Sequence, residues 1–254
     1  MGLELDLAGK TALVTGGSRG VGAATTRLLA RAGADVGISY RSRARKARLV
    51  VEEARAIGVR AWAEAGDLSD RRAVDRLFRR VDAEFGGLDI FVGNAGIWPV
   101  ADVPLAEMDD VRWHRTIAVN LDSIFFTTRE ALRLMRDGGR VVLVSSTAGQ
   151  RGEAFHSDYA ASKGAIISLV KGLCGEVGNR GITVNAVAPG WIDTEMSENP
   201  LKGADRTAIE ASIPLGRVAT AEDVAGPIVV LCSDMARHMT GEIVNVNGGA
   251  VLAG

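Results

Sequence analysis

The stretch TALVTGGSRGVGAATTRLLA, residues 11–30, decides the fold. A short apolar run ends in glycines, and a helix-like run from Val21 to Ala32 follows at once. Gly16, Gly20 and Gly22 stand between the two runs. This order of strand, tight turn and helix predicts the first unit of an α/β fold.

Short apolar runs continue to alternate with amphipathic runs along the rest of the chain. ADVGISY precedes a helix-like run from Arg45 to Ile57, and the later strand-like runs are VRAWAEAGDLS, LDIFVGNAG, GRVVLVSS, GITVNAVAPG and GEIVNVNGG. The runs are nearly continuously apolar, as expected for strands that helices cover on both faces. The pattern predicts a seven-stranded parallel sheet in a single α/β domain over residues 1–254.

Composition and charge exclude several classes of protein. The 254 residues include 47% hydrophobic side chains, enough for one sizeable core, and 30 basic residues face 31 acidic ones. A net charge of −1 favours neither nucleic acid nor an anionic membrane as a partner. Cys174 and Cys232 are too few for a disulfide framework, and the sequence has no cluster with metal-ligand spacing. Without a signal-like start or a membrane-length apolar run, we expect a cytoplasmic protein.

One region departs from the alternating pattern. Residues 193–212, DTEMSENPLKGADRTAIEAS, are mostly polar and are interrupted by Pro200 and Gly203. We predict that this segment is a lid over a substrate site.

The glycine turn has the spacing G-x-x-x-G-x-G. Glycines let the backbone approach a pyrophosphate closely, and a helix N-terminus offers free N–H groups and a positive dipole end. Such spacing also occurs in ordinary tight turns. Its position at the first strand-to-helix turn of an α/β series favours a dinucleotide site.

The end of the second strand indicates which dinucleotide binds. An acid there would bind the free ribose hydroxyl of NAD, but the sequence has Tyr40, Arg41 and Ser42 instead. Arg19 adds a cation within the glycine turn. Guanidinium groups suit a phosphate, so we expect NADP(H), with NAD(H) as the alternative cofactor. Ser42 and Arg43 are candidates to join Arg19 and Arg41 at that phosphate. The alternative interpretation of the run RSRARKAR is a solvated basic helix start, which applies to four of its cations: Arg43, Arg45, Lys46 and Arg48.

A second motif lies in SDYAASKGAIISLV, residues 157–170. Tyr159 and Lys163 are four residues apart, so they share one face of a helix whose apolar residues read as buried. With the glycine turn, NAG at residues 94–96, Asn120, Ser146 and this Y-x-x-x-K, the sequence resembles the short-chain dehydrogenase/reductase family over essentially its whole length. Within the family it is most similar to the 3-oxoacyl-[acyl-carrier-protein] reductases and to the alcohol and sugar dehydrogenases near them.

The resemblance implies a single Rossmann-like, doubly wound domain, a homotetramer and a set of site residues. It implies that Asp67 meets the adenine and that residues 189–194 hold the nicotinamide. Taken alone, Asp67 would more often be a helix N-cap, and Asn94 and Gly96 would be ordinary turn residues. The cofactor-binding residues implied are Gly16, Ser18, Arg19, Gly20, Val21, Gly22, Tyr40, Arg41, Ser42, Asp67, Leu68, Asn94, Ala95, Gly96, Tyr159, Lys163, Pro189, Gly190, Ile192 and Thr194.

Reduction of a carbonyl requires a hydride from the nicotinamide and a proton from the protein. Tyr159 can donate that proton, although the pKa of a free tyrosine is about 10. Lowering that pKa to about 7 or 8 requires about 3 to 4 kcal/mol. One cation about 4 Å away, at an effective dielectric constant near 20, contributes roughly 4 kcal/mol. We therefore expect Lys163 alone to be sufficient, with further help from the oxidised nicotinamide.

Ser146 and Asn120 complete the predicted catalytic set. Ser146 ends the strand RVVLVSS, where its hydroxyl can hydrogen-bond the substrate oxygen, and alternation along the strand turns Ser145 to the other face. Asn120 lies in an apolar helical pattern, where an asparagine needs a partner. The resemblance gives it a water in a proton relay that ends at Lys163, whereas a bond to a neighbouring carbonyl is the structural alternative.

Four side chains near these motifs are candidates for the wall of the substrate pocket: Trp98, Phe155, His156 and Trp191. The aromatic residues among them could equally be part of the core.

The sequence supports three alternative hypotheses for the function. The leading hypothesis is an NADPH-dependent carbonyl reductase that acts on a 3-oxoacyl thioester. The alternative is an NAD(P)-dependent dehydrogenase of a sugar, steroid or other secondary alcohol. The third is a non-catalytic dinucleotide sensor, against which the intact catalytic set argues.

An acyl carrier protein is a candidate partner, besides the small carbonyl or alcohol substrate. Such a partner is acidic and needs basic residues beside the site. Arg180 stands where the similar reductases often have one, but Asp137 occupies a position where they often have another. The helices from about Met108 to Met135 and from Tyr159 to Val177 carry more apolar surface than one sheet face needs, which also predicts a homo-oligomer.

Overall fold

A parallel sheet organises the molecule. The computed structural model describes residues 5–202 and 204–252, so Gly203 of the predicted lid and both ends of the predicted domain lie outside the described residues. Within these ranges every neighbouring pair of strands is parallel, in the order β3-β2-β1-β4-β5-β6-β7. The seven strands are β1 (Thr11–Val14), β2 (Asp35–Tyr40), β3 (Ala61–Ala65), β4 (Leu88–Gly93), β5 (Met135–Val144), β6 (Thr183–Pro189) and β7 (Ile243–Val246).

Helices cover both faces of the sheet. They are α1 (Gly20–Arg31), α2 (Ala44–Ala56), α3 (Arg71–Phe85), α4 (Asp110–Ile117), α5 (Ser123–Leu134), α6 (Thr147–Arg151), α7 (Ser157–Val177), α8 (Ala204–Ala211) and α9 (Ala221–Leu231). A π-helical turn, Ala118–Asp122, joins α4 to α5. Helices α1, α2 and α9 pack on one face, and α3, α5 and α7 pack on the other. The structure therefore has the predicted doubly wound, Rossmann-like single domain.

Side chains along each strand alternate between two apolar cores. On β5, Val142 and Val144 enter the core under α1, whereas Val141 and Leu143 enter the core under α7. This alternation explains the continuous apolar runs in the sequence, because both faces of each strand are buried. Strand β5 begins at Met135, four residues before the run GRVVLVSS that predicted it.

The order of the strands places the site. The chain adds β2 and β3 on one side of β1 and then crosses to the other side for β4. Successive connections therefore leave β1 and β4 towards opposite faces, and a crevice opens at their carboxyl ends. The glycine turn follows β1, and the NAG motif follows β4, so both lie at that crevice.

The segment 193–212 is folded against the carboxyl edge of the sheet. Its start is anchored by a backbone hydrogen bond of 2.8 Å from Asp193 N–H to the Ala219 carbonyl. A small apolar cluster beneath it is separate from the two main cores and contains Leu201, Ile213 and Val218, with Trp191 and Ile209 packed against it.

None of the helices in the described ranges has the length and apolar character that a membrane crossing requires.

Candidate active site

The glycine turn brings the start of α1 against the end of β1. Gly16 has a φ of 68°, which favours glycine, and a Cβ on Gly22 would lie 2.4 Å from the Gly16 carbonyl oxygen. Arg19, the N-cap residue, makes no side-chain capping bond within the described chain, and the first turn of α1 holds no acid. The helix N-terminus therefore fits a phosphate group.

Thr15, a residue that no motif in the sequence marked, connects this turn to the end of β4 by hydrogen bonds. Its Oγ1 accepts hydrogen bonds from the backbone N–H groups of Asn94 and Ala95, at 2.9 and 3.0 Å. Asn94 Nδ2 donates to the Thr15 carbonyl at 2.9 Å. The side chain of Asn94 thus supports the turn. The position of Thr15 at the end of the first strand was the signal that could have identified it.

A cleft of about 570 Å³ runs along the carboxyl edge of the sheet, within the usual range for ligand sites. Gly22 does not line it, because this glycine packs α1 against the turn from behind. The other predicted cofactor residues all do: Gly16, Ser18, Arg19, Gly20, Val21, Tyr40, Arg41, Ser42, Asp67, Leu68, Asn94, Ala95, Gly96, Tyr159, Lys163, Pro189, Gly190, Ile192 and Thr194.

Asp67 lines this cleft beside Arg41 and is held by several donors. Arg41 and Arg115 lie 3.6 and 3.2 Å from its carboxylate, and Ser69 donates from both its backbone N–H and its hydroxyl. Burial acts to raise the pKa of Asp67, but the bonds from Ser69 and Arg115 outweigh it and lower the pKa. The alternative that Asp67 is an N-cap is wrong, because Asp70 caps α3.

The basic run after β2 divides into two parts. Arg43 lines the cleft, and both Arg43 and Lys46 reach the carboxylate of Glu195, which Arg19 also contacts at 3.0 Å. Two other cations of the run are exposed and lie outside the lining of the cleft: Arg45 and Arg48.

Tyr159 and Lys163 lie in the first two turns of α7 and both line the cleft. Lys163 is buried, and its Nζ lies 5.8 Å from the centre of the Tyr159 ring. The Nζ donates a hydrogen bond of 2.8 Å to the carbonyl of Val144 at the end of β5. The four-residue spacing therefore places both side chains on one face, as predicted.

The pKa values of this pair differ from the sequence-based expectation. Burial raises the pKa of Tyr159 to about 12, hydrogen bonding with Ser146 opposes the rise, and the charge of Glu153 adds to it. Burial also lowers the pKa of Lys163 to about 8. Contrary to the expectation that Lys163 alone would be sufficient to lower the pKa of Tyr159, burial raises that pKa, and the Nζ of Lys163 is bonded to the Val144 carbonyl.

Ser146, and not Ser145, pairs with the phenol. The Ser145 hydroxyl donates to the carbonyl of Lys163 at 2.8 Å and is buried. Ser146 caps α6, where its Oγ accepts from the Ala148 N–H at 3.1 Å, and its hydroxyl acts to lower the pKa of Tyr159. Its hydroxyl and the phenol can therefore meet one substrate oxygen.

Asn120 lies behind the cleft and does not line it. Its Oδ1 accepts from the Ile97 N–H at 2.8 Å, and its Nδ2 donates to the Ile97 carbonyl at 2.9 Å and to Ser162 Oγ at 3.2 Å. These contacts match the structural alternative of a bond to a carbonyl. A Cβ on Gly96 would lie 3.2 Å from Asn120 Oδ1 and 3.5 Å from Lys163 Nζ, so both side chains border the same loop.

Of the four predicted pocket residues, Trp98 and Trp191 line the cleft, with ring centres 6.1 Å apart. His156 is buried behind Trp98 and stacks on it at 4.5 Å, with its Nε2 2.8 Å from the Pro99 carbonyl oxygen. Phe155 is exposed and has a φ of 64°. Phe155 and His156 are therefore not in the lining, because the turn before α7 directs them away from it.

Two carboxylates in the lining were missed. Glu153 accepts a hydrogen bond of 3.2 Å from Trp98 Nε1, and its position between Ser146 and Tyr159 in the sequence was the available signal. Glu195 lies in the predicted lid, where no motif marked it. Among the side chains described, no group of three or more His, Cys, Asp or Glu residues is arranged to hold a metal ion.

Comparisons with known proteins agree with this geometry. A family model described as enoyl-(acyl carrier protein) reductase matches residues 16–251. The chain is 37% identical over 247 residues to the 3-oxoacyl-[acyl-carrier-protein] reductase FabG of Escherichia coli (strain K12), which covers 96% of this chain and 98% of the relative.

Solved structures give the same result. The short-chain dehydrogenase/reductase from Serratia marcescens BCRC 10948 is 37% identical, with a TM-score of 0.91, over 96% of this chain and 98% of that one. A short chain dehydrogenase from Burkholderia cenocepacia J2315, solved in complex with NADP, is 40% identical, also with a TM-score of 0.91, over 96% and 98% of the two chains.

Proposed function

Because the chain belongs to the short-chain dehydrogenase/reductase family and is thus an NAD(P)-dependent oxidoreductase of C=O or CH–OH groups, we propose that it is an NADPH-dependent carbonyl reductase. The proposed substrate class is a 3-oxoacyl thioester. The observation that carries the proposal is that Ser146, Tyr159 and Lys163 line the same cleft as the glycine turn.

The cleft fits a nicotinamide dinucleotide. The uncapped start of α1 and the closely packed glycines suit its pyrophosphate. The segment after β6, where the nicotinamide would lie, contributes to the lining Pro189, Gly190, Trp191, Ile192 and Thr194. When bound, the nicotinamide supplies a hydride to the carbonyl carbon. The preference for NADP is supported by Arg19, Arg41 and Arg43 in the lining and by the solved relative that holds NADP.

The raised pKa of Tyr159 supports its proposed role as the proton donor. A pKa of about 12 keeps Tyr159 protonated near neutral pH, so the phenol is ready to donate a proton to the carbonyl oxygen while Ser146 hydrogen-bonds that oxygen. Lys163, with a pKa of about 8, can exchange protons with solvent in the same pH range. We propose that Asn120 serves the relay to Lys163 by holding Ile97 and its loop in place.

An acyl carrier protein is the proposed donor of the substrate, on the strength of the FabG relative. The two residues weighed for this contact bind each other, since Arg180 Nε donates to Asp137 at 2.9 Å and its other nitrogens bond the carbonyls of Leu132 and Met135. Arg180 follows the far end of α7, roughly 27 Å along that helix from Tyr159. Within one chain, Arg180 therefore lends the carrier protein no support.

One observation favours the alternative of a hydroxyl-rich alcohol substrate. Glu153 presents a carboxylate beside Trp98 in the lining, and a carboxylate accepts hydrogen bonds from several hydroxyls. A sugar or polyol would use both this acceptor and the two indole walls. The third hypothesis, a sensor without catalysis, gives no reason for a serine and a tyrosine to be paired in the cleft.

Three further expectations remain proposals. We propose a homotetramer, a lid over residues 193–212 and a cytoplasmic location. The last is supported by the free thiols of Cys174 and Cys232, which suit a reducing compartment.

The test combines cofactor binding with turnover. Cofactor fluorescence would measure the Kd for NADPH and NADH, and a panel of an acetoacetyl thioester, simple ketones and sugar alcohols would identify the substrate. We expect NADPH to bind at least about tenfold tighter, about 1.4 kcal/mol, and Tyr159→Phe to lose about 10² to 10⁴ in kcat. A Tyr159→Phe protein with wild-type turnover would refute the proposed proton donor.

A further inference from the structure

Glu195 of the lid binds the cations that the cofactor phosphate is proposed to use. Its carboxylate lies 3.0 Å from Arg19 and 3.7 Å from Arg43, and it also bonds Lys46. Arg19 belongs to the glycine turn, whereas the other two cations belong to the start of α2. One carboxylate therefore bridges the two elements that border the ribose end of the cleft.

This arrangement has the features of an anion site. The N-cap of α2 makes no side-chain capping bond within the described residues, and the first turn of α2 holds no acid, so the positive end of the helix also faces this region. Hydrogen bonds from Lys46 and Arg19 lower the pKa of Glu195, which is therefore ionised at neutral pH. A carboxylate with several cationic donors occupies a position suited to a phosphate.

The position of Glu195 also links this anion site to the lid. The residue before it, Thr194, packs beside the glycine turn, since a Cβ on Gly20 would lie 3.4 Å from the Thr194 methyl group. Ser197 then closes a turn by donating its backbone N–H to the Thr194 carbonyl at 3.1 Å. Glu195 and Thr194 thus connect the first turn of the lid to the glycine turn, in addition to the backbone bond from Asp193 to Ala219.

We propose that Glu195 is a specificity-determining residue that competes with the 2′-phosphate of NADP for Arg19, Arg43 and Lys46. The inference rests on the proposed use of NADP. The phosphate carries more charge than the carboxylate and displaces it, which releases the first turn of the lid. NAD carries a hydroxyl at the same place and leaves Glu195 on its cations.

The experiment compares Glu195→Gln with Glu198→Gln, a matched control in the same lid whose acid pairs with Lys202 at 3.4 Å instead. Kd values would be measured for NADPH and NADH, and also for 2′,5′-ADP and 5′-AMP, which isolate the phosphate from the nicotinamide. We expect Glu195→Gln to tighten NADPH and 2′,5′-ADP by about fivefold, about 1 kcal/mol, and to change NADH and AMP by less than about twofold. The control should leave all four values within about twofold of wild type.

The outcomes separate this inference from the proposed cofactor preference. Suppose that wild type prefers NADPH and that Glu195→Gln does not increase the Kd for NADH relative to the Kd for NADPH. In that case only the role of Glu195 is refuted. If wild type binds both cofactors equally and the variant gains a preference for NADPH, the preference of wild type is refuted and the competition stands. If neither protein distinguishes the cofactors, both proposals are wrong.

Discussion

Tyr159 is a side chain at which burial and charge act in the same direction. Loss of hydration raises its pKa, and the nearby carboxylate of Glu153 raises it further, since a phenolate beside an anion is unfavourable. The site therefore keeps Tyr159 protonated near neutral pH, as its proposed role of proton donor requires. In the oxidation of an alcohol, the same tyrosine must first lose its proton, so that direction should be favoured only at high pH.

Replacing Glu153 by glutamine should lower the pKa of Tyr159. The change removes a negative charge but keeps an oxygen that can accept the bond from Trp98 Nε1. The rising limb of kcat/KM against pH for alcohol oxidation should therefore move to lower pH. At pH values below this limb, kcat/KM should increase about threefold, which corresponds to roughly 0.7 kcal/mol for the removal of one charge.

Asp102→Asn is the matched control, because Asp102 also lies near this turn, 3.7 Å from His156 Nδ1, but is not among the groups that shift the pKa of Tyr159. If the limb moves to higher pH in Glu153→Gln, or moves equally in both variants, the proposed effect of the Glu153 charge is wrong.

These side chains also mark what could be predicted from the sequence. The four-residue spacing predicted that Tyr159 and Lys163 share one helix face, and alternation along the strand predicted different roles for Ser145 and Ser146. Their bonding partners could not be predicted, because the Val144 carbonyl that binds Lys163 belongs to a strand distant in the sequence. Hydration is likewise a property of the folded cleft, which is why the pKa expectation failed.

Helix α7 is joined to α4 by a buried ion pair next to Tyr159. Asp158 is fully buried, and Arg112 lies 3.1 Å from its carboxylate, while Thr116 Oγ1 donates to it at 2.7 Å. Arg112 also donates to the carbonyls of Ala101 and Phe155, so it links the turn before α7 to α4. The first turn of α7, which carries Tyr159, is thereby fixed in position.

Asp158→Asn should therefore destabilise the protein by about 2 to 3 kcal/mol at pH 7. Burial acts to raise the pKa of Asp158, but the bonds from Arg112 and Thr116 outweigh it and lower the pKa. A lowered folded-state pKa means that this stabilisation is complete above the unfolded value of 3.8 and is lost as the pH falls through the folded value. Urea unfolding at pH 7 measures the difference.

Asp75→Asn provides the comparison, because Asp75 pairs with Arg71 on the exposed side of α3, where such pairs contribute about 0.3 to 0.5 kcal/mol. Equal losses of unfolding free energy in the two variants would mean that the buried ion pair stabilises the protein no more than the exposed one. A loss at Asp158 that stays constant down to about pH 3 would mean that the ionised carboxylate is not the stabilising form.

The sequence predicted the helices and strands of the sheet more accurately than it predicted the lid. Alternating apolar runs identified all seven strands of the described sheet, and the starts of α1 and α2 differ from the predicted ones by one residue. Leu201 of the lid packs against Ile213 and Val218, which follow the lid, and polar stretches separate the three residues in the sequence. Periodicity therefore contains no signal for that segment, and Glu195 within it was missed for the same reason.

The sheet as a unit buries the inner sides of its helices and leaves part of their outer sides apolar. On α4, Val111 is 79% exposed, and on α5, Phe125 is 46% exposed. On α7, Ile167 is half-buried and is not part of either core. These helices are the ones whose apolar content predicted a homo-oligomer, and one chain does not cover them fully.

Light scattering at micromolar concentration should therefore give a mass above that of one chain, with a tetramer as the proposed state. Phe125→Glu should reduce the mass, because a charge that enters an apolar interface loses its hydration without gaining a partner. Leu49→Glu is the matched control: Leu49 is 47% exposed on α2, away from the proposed interface, and its replacement should leave the mass unchanged. A monomeric wild type would refute the assembly, and an unchanged mass for Phe125→Glu would exclude α5 as the contact surface.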